Sequence, residues 1–235
     1  MIKSKKILLT AVIIFAIVEA FLGYTLQTCK GEFVDPVSFA SIVLACLFCV
    51  TFVEKSKDYL LTQLALVCTV CADFFLLITP ERQQLPAMLF FSVTQMSYFL
   101  RIYLNDENKT RRAWHWGIRS FASVAAVAVT ALVLGESADA VALISMFYYA
   151  NLIVNIIFAF IEFKKHPLLA IGLLLFALCD VLIGFYFIDD YLPIPPNSFI
   201  YDILSPGFNL AWAFYLPSQT LLSISLLPKR LRENK

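Results

Sequence analysis

PLLAIGLLLFALCDVLIGFYFI, residues 167–188, is apolar along its whole length apart from Asp180. A helix of this length rises about 33 Å at about 1.5 Å per residue, enough to cross the ~30 Å hydrocarbon core of a bilayer. Its reading decides the fold, because the rest of the chain repeats the pattern. Further apolar stretches of spanning length lie near 7–26, 37–53, 59–79, 85–104, 114–134, 139–163 and 206–227. The breaks between them carry Pro, Gly or charge: Gly31 to Pro36, Glu54 to Asp58, Pro80 to Pro86, Asn105 to Arg112, Gly135 to Asp139, Lys164 to Pro167 and Asp189 to Pro206. The expected fold is an all-α polytopic membrane protein, a bundle of eight transmembrane helices forming one domain over residues 1–235.

Composition points the same way. Of the 235 residues, 60% are hydrophobic and 15% charged, and the mean hydropathy is +0.80. Soluble domains are about half apolar and a quarter charged. Short connections make neighbouring helices antiparallel. Lys3, Lys5, Lys6, Lys55, Lys57, Lys109, Arg111, Arg112, Lys164, Lys165, Lys229, Arg230, Arg232 and Lys235 all fall on one side, and only Lys30 and Arg82 on the other. Positive charge marks the cytoplasmic side, so both termini are expected there, in agreement with an even number of spans. No basic face remains for nucleic acid. The opening MIKSKKILLTAVIIF has the look of a signal peptide, but Glu19 interrupts its apolar run and no clean cleavage site follows. It is expected to stay as the first helix.

Several chemistries lack their residues. The pairs Cys46/Cys49 and Cys68/Cys71 have C-x-x-C spacing but lie inside apolar helices, where cysteine is expected to serve as a small packing residue. Cys179 lies in a span too, and Cys29 faces the other compartment without a partner. His115 and His166 fall at helix ends, where solvation is expected, and no span core contains histidine. Neither a G-x-S-x-G stretch nor a Walker-type phosphate loop occurs. No metal or cofactor is expected.

What stands out is acid inside the spans. Glu19, Asp73 and Asp180 lie 12, 14 and 13 residues past Ile7, Tyr59 and Pro167, which sets all three at depths of roughly 18–21 Å. A charge at the bilayer centre costs about 2.5–3.5 kcal/mol on insertion scales, so such residues face the bundle interior or a wet cavity. No lysine or arginine is expected at that depth, since Arg101 and Arg119 lie nearer the cytoplasmic ends. Polar stripes converge on the level: Ser92, Gln95 and Tyr98; Tyr148, Asn151 and Asn155; and Trp212, Tyr215, Gln219 and Ser223 beside Pro217. Neutral polar residues in membrane helices commonly do no more than join helices by hydrogen bonds. Joining helices does not require carboxylates.

VCTVCADFFLLI (67–78) and LLFALCDVLIGF (174–185) place Cys and small residues before an Asp and an apolar run after it. Each precedes a helix with Gln and Tyr, QMSY (95–98) and FYLPSQ (214–219). This pattern reads as a parallel 4+4 repeat. With these residues the sequence resembles the YhhN-like family, which includes the lysoplasmalogenases. The carriers are the eight spans, the Asp73 and Asp180 positions, Gln95 with Tyr98, and Tyr215 to Gln219 followed by LLSIS. The family often has Gly-Asp and Ser-Asp where this chain has Ala72-Asp73 and Cys179-Asp180.

The resemblance implies an enzyme of the bacterial plasma membrane that hydrolyses the vinyl ether bond of a lysoplasmalogen-type lysophospholipid. Fatty aldehyde and a glycerophospho-head group are released. Asp73 and Asp180 would carry the acid–base chemistry, and Glu19, Gln95, Tyr98, Asn151, Asn155, Tyr215 and Gln219 would bind substrate or water. The expected partners are that lysophospholipid and membrane lipid. Apolar helix faces have the same composition whether they meet lipid or another copy, so the sequence leaves the oligomeric state open. Two alternatives share the physics of buried acids: a proton-coupled carrier, and a lipid-binding bundle without turnover.

Overall fold

The computed structural model describes residues 5–28, 31–52, 57–195, 198–203 and 208–227. The helices are α1 (Lys5–Thr28), α2 (Val34–Phe52), α3 (Lys57–Asp73), α4 (Gln84–Asn105), α5 (Lys109–Leu134), α6 (Ala140–Ile161), α7 (Pro167–Phe187), the short α8 (Phe199–Ile203) and α9 (Leu210–Ile224). A π-helical segment, Phe74–Ile78, prolongs α3. The described residues contain no strand. Cys29, Lys30 and both chain ends lie outside the described residues.

Six of the described helices are long and apolar enough to cross a membrane: Lys5–Thr28, Val34–Phe52, Asp58–Ile78, Lys109–Ser137, Ala140–Ile161 and Pro167–Asp190. The chain is an integral membrane protein. α4 has 22 residues, but Ser92, Thr94, Gln95, Ser97 and Arg101 make it more polar. α9 has 15 residues and contains Pro217.

The helix ends are written in the sequence. Pro167 opens α7, where a missing N–H costs nothing. Asp139 caps α6 by accepting from the Ala142 N–H at 2.7 Å. Asn108 caps α5 through the Arg111 N–H at 3.1 Å, and Asn209 caps α9 through the Trp212 N–H at 3.3 Å. Gly135 ends α5 with a φ of +54°, a conformation glycine adopts without a Cβ clash.

α3 packs on α4 and α7 on α9; α2 lies against both α3 and α9, and α6 against both α7 and α4. α1 covers α2 and α9, while α5 covers α6. The α7–α9 approach is close: a Cβ on Gly172 would lie 2.9 Å from the Leu222 side chain, and Ser218 Oγ donates to the Gly172 carbonyl at 2.8 Å. The outward faces of α1 and α5 carry Ile13, Ile17, Phe21, Phe121, Val124 and Leu132 exposed, a surface suited to lipid.

A charged clasp closes the end of the bundle where α4 turns into α5. Buried Asp106 accepts from Arg111 Nε and, at 2.6 Å, from Arg111 Nη2, which also donates to Glu162 at the end of α6. The Asn108 N–H adds a bond at 2.9 Å. His115, expected to be solvated, is instead 1% exposed. Its Nε2 lies 3.3 Å from Asp106 Oδ2 and its ring stacks on Phe158. A helix-end position does not reveal that the loop folds a carboxylate back over the ring.

The Arg111 guanidinium holds the Asp106 carboxyl down at about 2, with the Asn108 N–H assisting, against the opposing effect of burial. The unfolded value is about 3.9. A folded-state value below the unfolded one stabilises the fold above about pH 4 and is lost as pH falls toward 2. The thermal midpoint of the purified protein is therefore expected to drop between pH 4 and 2. Asp106→Asn should lower it at neutral pH and flatten that part of the profile. An unchanged acid limb in this variant would refute the assignment.

Candidate active site

Asp73 is the last residue of α3 before the π-helical segment begins. Such widened turns occur often at functional sites. Its Oδ2 accepts from the Tyr215 hydroxyl of α9 at 2.6 Å. Asp180, in the middle of α7, accepts from the Tyr148 hydroxyl of α6. Asp73 is buried at 4% exposure and Asp180 is half-buried. The two carboxyls lie within electrostatic reach of each other, with the buried Cys179 thiol beside both. Both tyrosines are buried.

An aromatic frame fixes these four groups. Phe176, one helical turn before Asp180, lies 5.4 Å from the Tyr215 ring and 6.5 Å from the Tyr148 ring. Phe91 of α4 lies 5.8 Å from Phe176 and 5.5 Å from Tyr148, and Trp212 lies 5.5 Å from Tyr215. These tilted and edge-on contacts are the favoured geometries for aromatic pairs. Between α2, the end of α3 and α4, an open cavity of about 390 Å³ is lined by Phe39, Val70, Cys71, Phe74, Phe75 and Phe90. The lining is wholly apolar, so the cavity suits a hydrocarbon chain.

The other expected site residues divide into separate groups. Glu19 is buried on α1, and its Oε2 accepts from Ser41 Oγ of α2 at 2.5 Å, while Oε1 has no partner. Gln95 meets the α6 stripe: Asn155 Nδ2 donates to its backbone carbonyl at 2.8 Å and to its Oε1 at 3.0 Å. Asn151 donates to Ser123 Oγ at 3.0 Å and to the Phe147 carbonyl at 2.7 Å. Tyr98 and Gln219 are buried without a hydrogen-bond partner for the hydroxyl or the amide atoms.

Sequence reasoning missed two contributions. Tyr148 belongs to a recognised stripe but is Asp180's direct partner. Arg119, placed near a helix end, is 4% exposed, and its Nη1 and Nη2 donate to Asn151 and Asn155 Oδ1 at 2.5 Å each. Its guanidinium also lies 4.1 Å from the centre of the Phe99 ring. The 3.6 period was the available signal, since His115, Arg119 and Ser123 fall on one face of α5 opposite the α6 stripe.

Among the described residues, no three His, Cys, Asp or Glu side chains gather as metal ligands. The four cysteines Cys46, Cys49, Cys68 and Cys179 are buried and Cys71 is half-buried, all as free thiols.

Residues 33–226 match the model of the YhhN family. The match takes in both aspartates, both tyrosines and Arg119, and begins after α1 with its Glu19. No curated protein and no solved structure matches the chain.

Removing a hydroxyl strands the carboxyl that it serves, and the cost grows with burial, about 1–3 kcal/mol for a buried group. Tyr215→Phe is expected to destabilise the fold more than Tyr148→Phe, because Asp73 is the more enclosed acid. Equilibrium unfolding of the two variants in one detergent checks the order; equal losses would contradict it.

Proposed function

The chain belongs to the YhhN family, and from that premise we propose that it hydrolyses the vinyl ether bond of a lysoplasmalogen-type lipid inside the membrane. The observation that carries the reading is the pair Asp73 and Asp180, each held by a tyrosine and within electrostatic reach of the other.

Vinyl ethers hydrolyse by protonation at carbon. A carboxylic acid delivers its proton to the carbon β to the ether oxygen, and the α-carbon becomes an oxocarbenium ion. Water adds to that carbon and gives up a proton to a carboxylate. The resulting hemiacetal collapses to a fatty aldehyde and the free glycerol hydroxyl. One water is consumed, and the carboxyl pair ends as it began. The reaction needs a proton donor and a negative charge near the developing cation, the division of labour seen in paired-carboxyl glycosidases. In this scheme one carboxyl of the pair would carry the proton and the other the negative charge. Serine nucleophiles and histidine-bound zinc have no part in this chemistry. The apolar cavity between α2, α3 and α4 would take the alkenyl chain, and Tyr148 and Tyr215 would hold the carboxyl oxygens in place.

The reading includes eight spans with α4 and α9 among them, both termini on the cytoplasmic side, and two four-helix repeats. The packing supports the repeat: α2 against α3 and α9 mirrors α6 against α7 and α4. The sorting of lysine and arginine supports the orientation.

Asp73→Asn and Asp180→Asn are each expected to lower aldehyde release from a vinyl ether lysolipid by at least about a hundredfold, the usual scale for a lost general acid or base, with the thermal midpoint largely kept. Retained turnover in both variants would sink the mechanism. Substrate flux across sealed vesicles without aldehyde would replace it with a carrier.

A further inference from the structure

A guanidinium stays protonated in proteins, and a buried charge without an opposite charge is costly. The other buried or clasped arginines of the bundle each have a carboxylate within electrostatic reach. Arg111 pairs with Asp106 and Glu162, and Arg101 lies within electrostatic reach of Asp58. Arg101, whose Nη1 donates to Ser225 Oγ at 2.6 Å, nevertheless forms no direct ion pair among the described residues and also leaves Nε and Nη2 buried without a partner. Arg119 has no such carboxylate. It is 4% exposed, and none of the ion pairs among the described residues includes it. Its hydrogen-bond acceptors are the neutral amides of Asn151 and Asn155, and its face rests on Phe99.

The amides hold the guanidinium without satisfying it. Arg119 Nε is buried with no partner. Gln95, tied to Arg119 through Asn155, also has a buried Nε2 with no partner. Both unused atoms are donors, so what they lack is an acceptor, and the charge calls for an anionic one.

The position of this cage along the bundle identifies the anion. Tyr148, which donates to Asp180, shares the α6 stripe with Asn151 and Asn155, three and seven residues on. The rise between them is about 4.5 and 10.5 Å, toward the end of the bundle closed by the Asp106–Arg111 clasp. In a glycerol lysophospholipid, five single bonds separate the ether oxygen from phosphorus, about 6 Å when extended. A phosphodiester at Arg119 would bring the ether oxygen level with the aspartate pair.

We propose that Arg119 and Gln95 form the binding site for the phosphodiester of the lysolipid, oriented by the Asn151–Asn155 amides. The proposal rests on the lipid-substrate reading above but not on the reaction assigned to the aspartates. It also defines specificity: single-chain glycerophospholipids are bound, and the corresponding neutral ether glycerols are not.

The test is binding without turnover. Purified protein is titrated by thermal shift with a saturated 1-O-alkyl-glycerophosphocholine, with the matched 1-O-alkylglycerol, and with inorganic phosphate. Wild type is expected to prefer the phosphodiester ligand over the neutral ether by at least about tenfold, the scale of a charge-assisted contact. Inorganic phosphate alone is expected to give little shift. Arg119→Gln should erase the preference. Gln95→Ala, which leaves the Arg119 cage standing, should weaken it about fivefold, and this variant decides the matter if Arg119→Gln does not fold. Equal binding of the two ether ligands by wild type overturns the site. So does an undiminished preference in the variants, and so does full stabilisation by inorganic phosphate. If the expected preferences appear while wild type releases no aldehyde from the vinyl ether analogue, the reaction falls and the site stands.

Discussion

The hydrogen bonds from Tyr215 to Asp73 and from Tyr148 to Asp180 each bind a helix to one remote or reversed in the chain, and they do so in an interior where an unserved carboxyl is expensive. α9 cannot leave α3 without stranding Asp73, and α6 cannot leave α7 without stranding Asp180. Water-filled alternatives are scarce in a bundle whose outer surface faces lipid, so the bonds act as registration points as well as stabilising contacts. The aromatic frame of Phe91, Phe176 and Trp212 packs around the pair once these contacts are made.

The pair is not symmetric, even if the chain is duplicated. Asp73 and Asp180 occupy matching places on α3 and α7. Their tyrosines come from α9 and α6, whose repeat counterparts are α4 and α2. Asp73 is buried, whereas Asp180 is half-buried. Two like residues in unlike surroundings are what acid–base chemistry requires of a carboxyl pair.

The helices were legible because apolar runs of spanning length are bounded by Pro, Gly and charge, and the caps at Asn108, Asp139, Pro167 and Asn209 follow from local chemistry. The aspartates were legible because a lone acid in an apolar run demands a reason. Depth alone did not separate Glu19 from them. Rise per residue fixes a level but not a direction around the bundle, and Ser41 is the partner that Glu19 meets. His115 and Arg119 were misjudged for a related reason. Distance from a helix end gives no account of which face is covered, and α6 covers the α5 face that carries both. The stripe Tyr148, Asn151, Asn155, Phe158 and Glu162 lies along one side of α6, and each member meets a group on a neighbouring element.

That stripe orders the polar interior by charge. Acid lies at the Tyr148 level, a cation in an amide cage lies below it, and the Asp106–Arg111–Glu162 clasp closes the end. A bundle serving only to join helices would gain nothing from leaving a guanidinium without a carboxylate while spending several carboxylates elsewhere. The proposed lysolipid has the same order: ether, then phosphate.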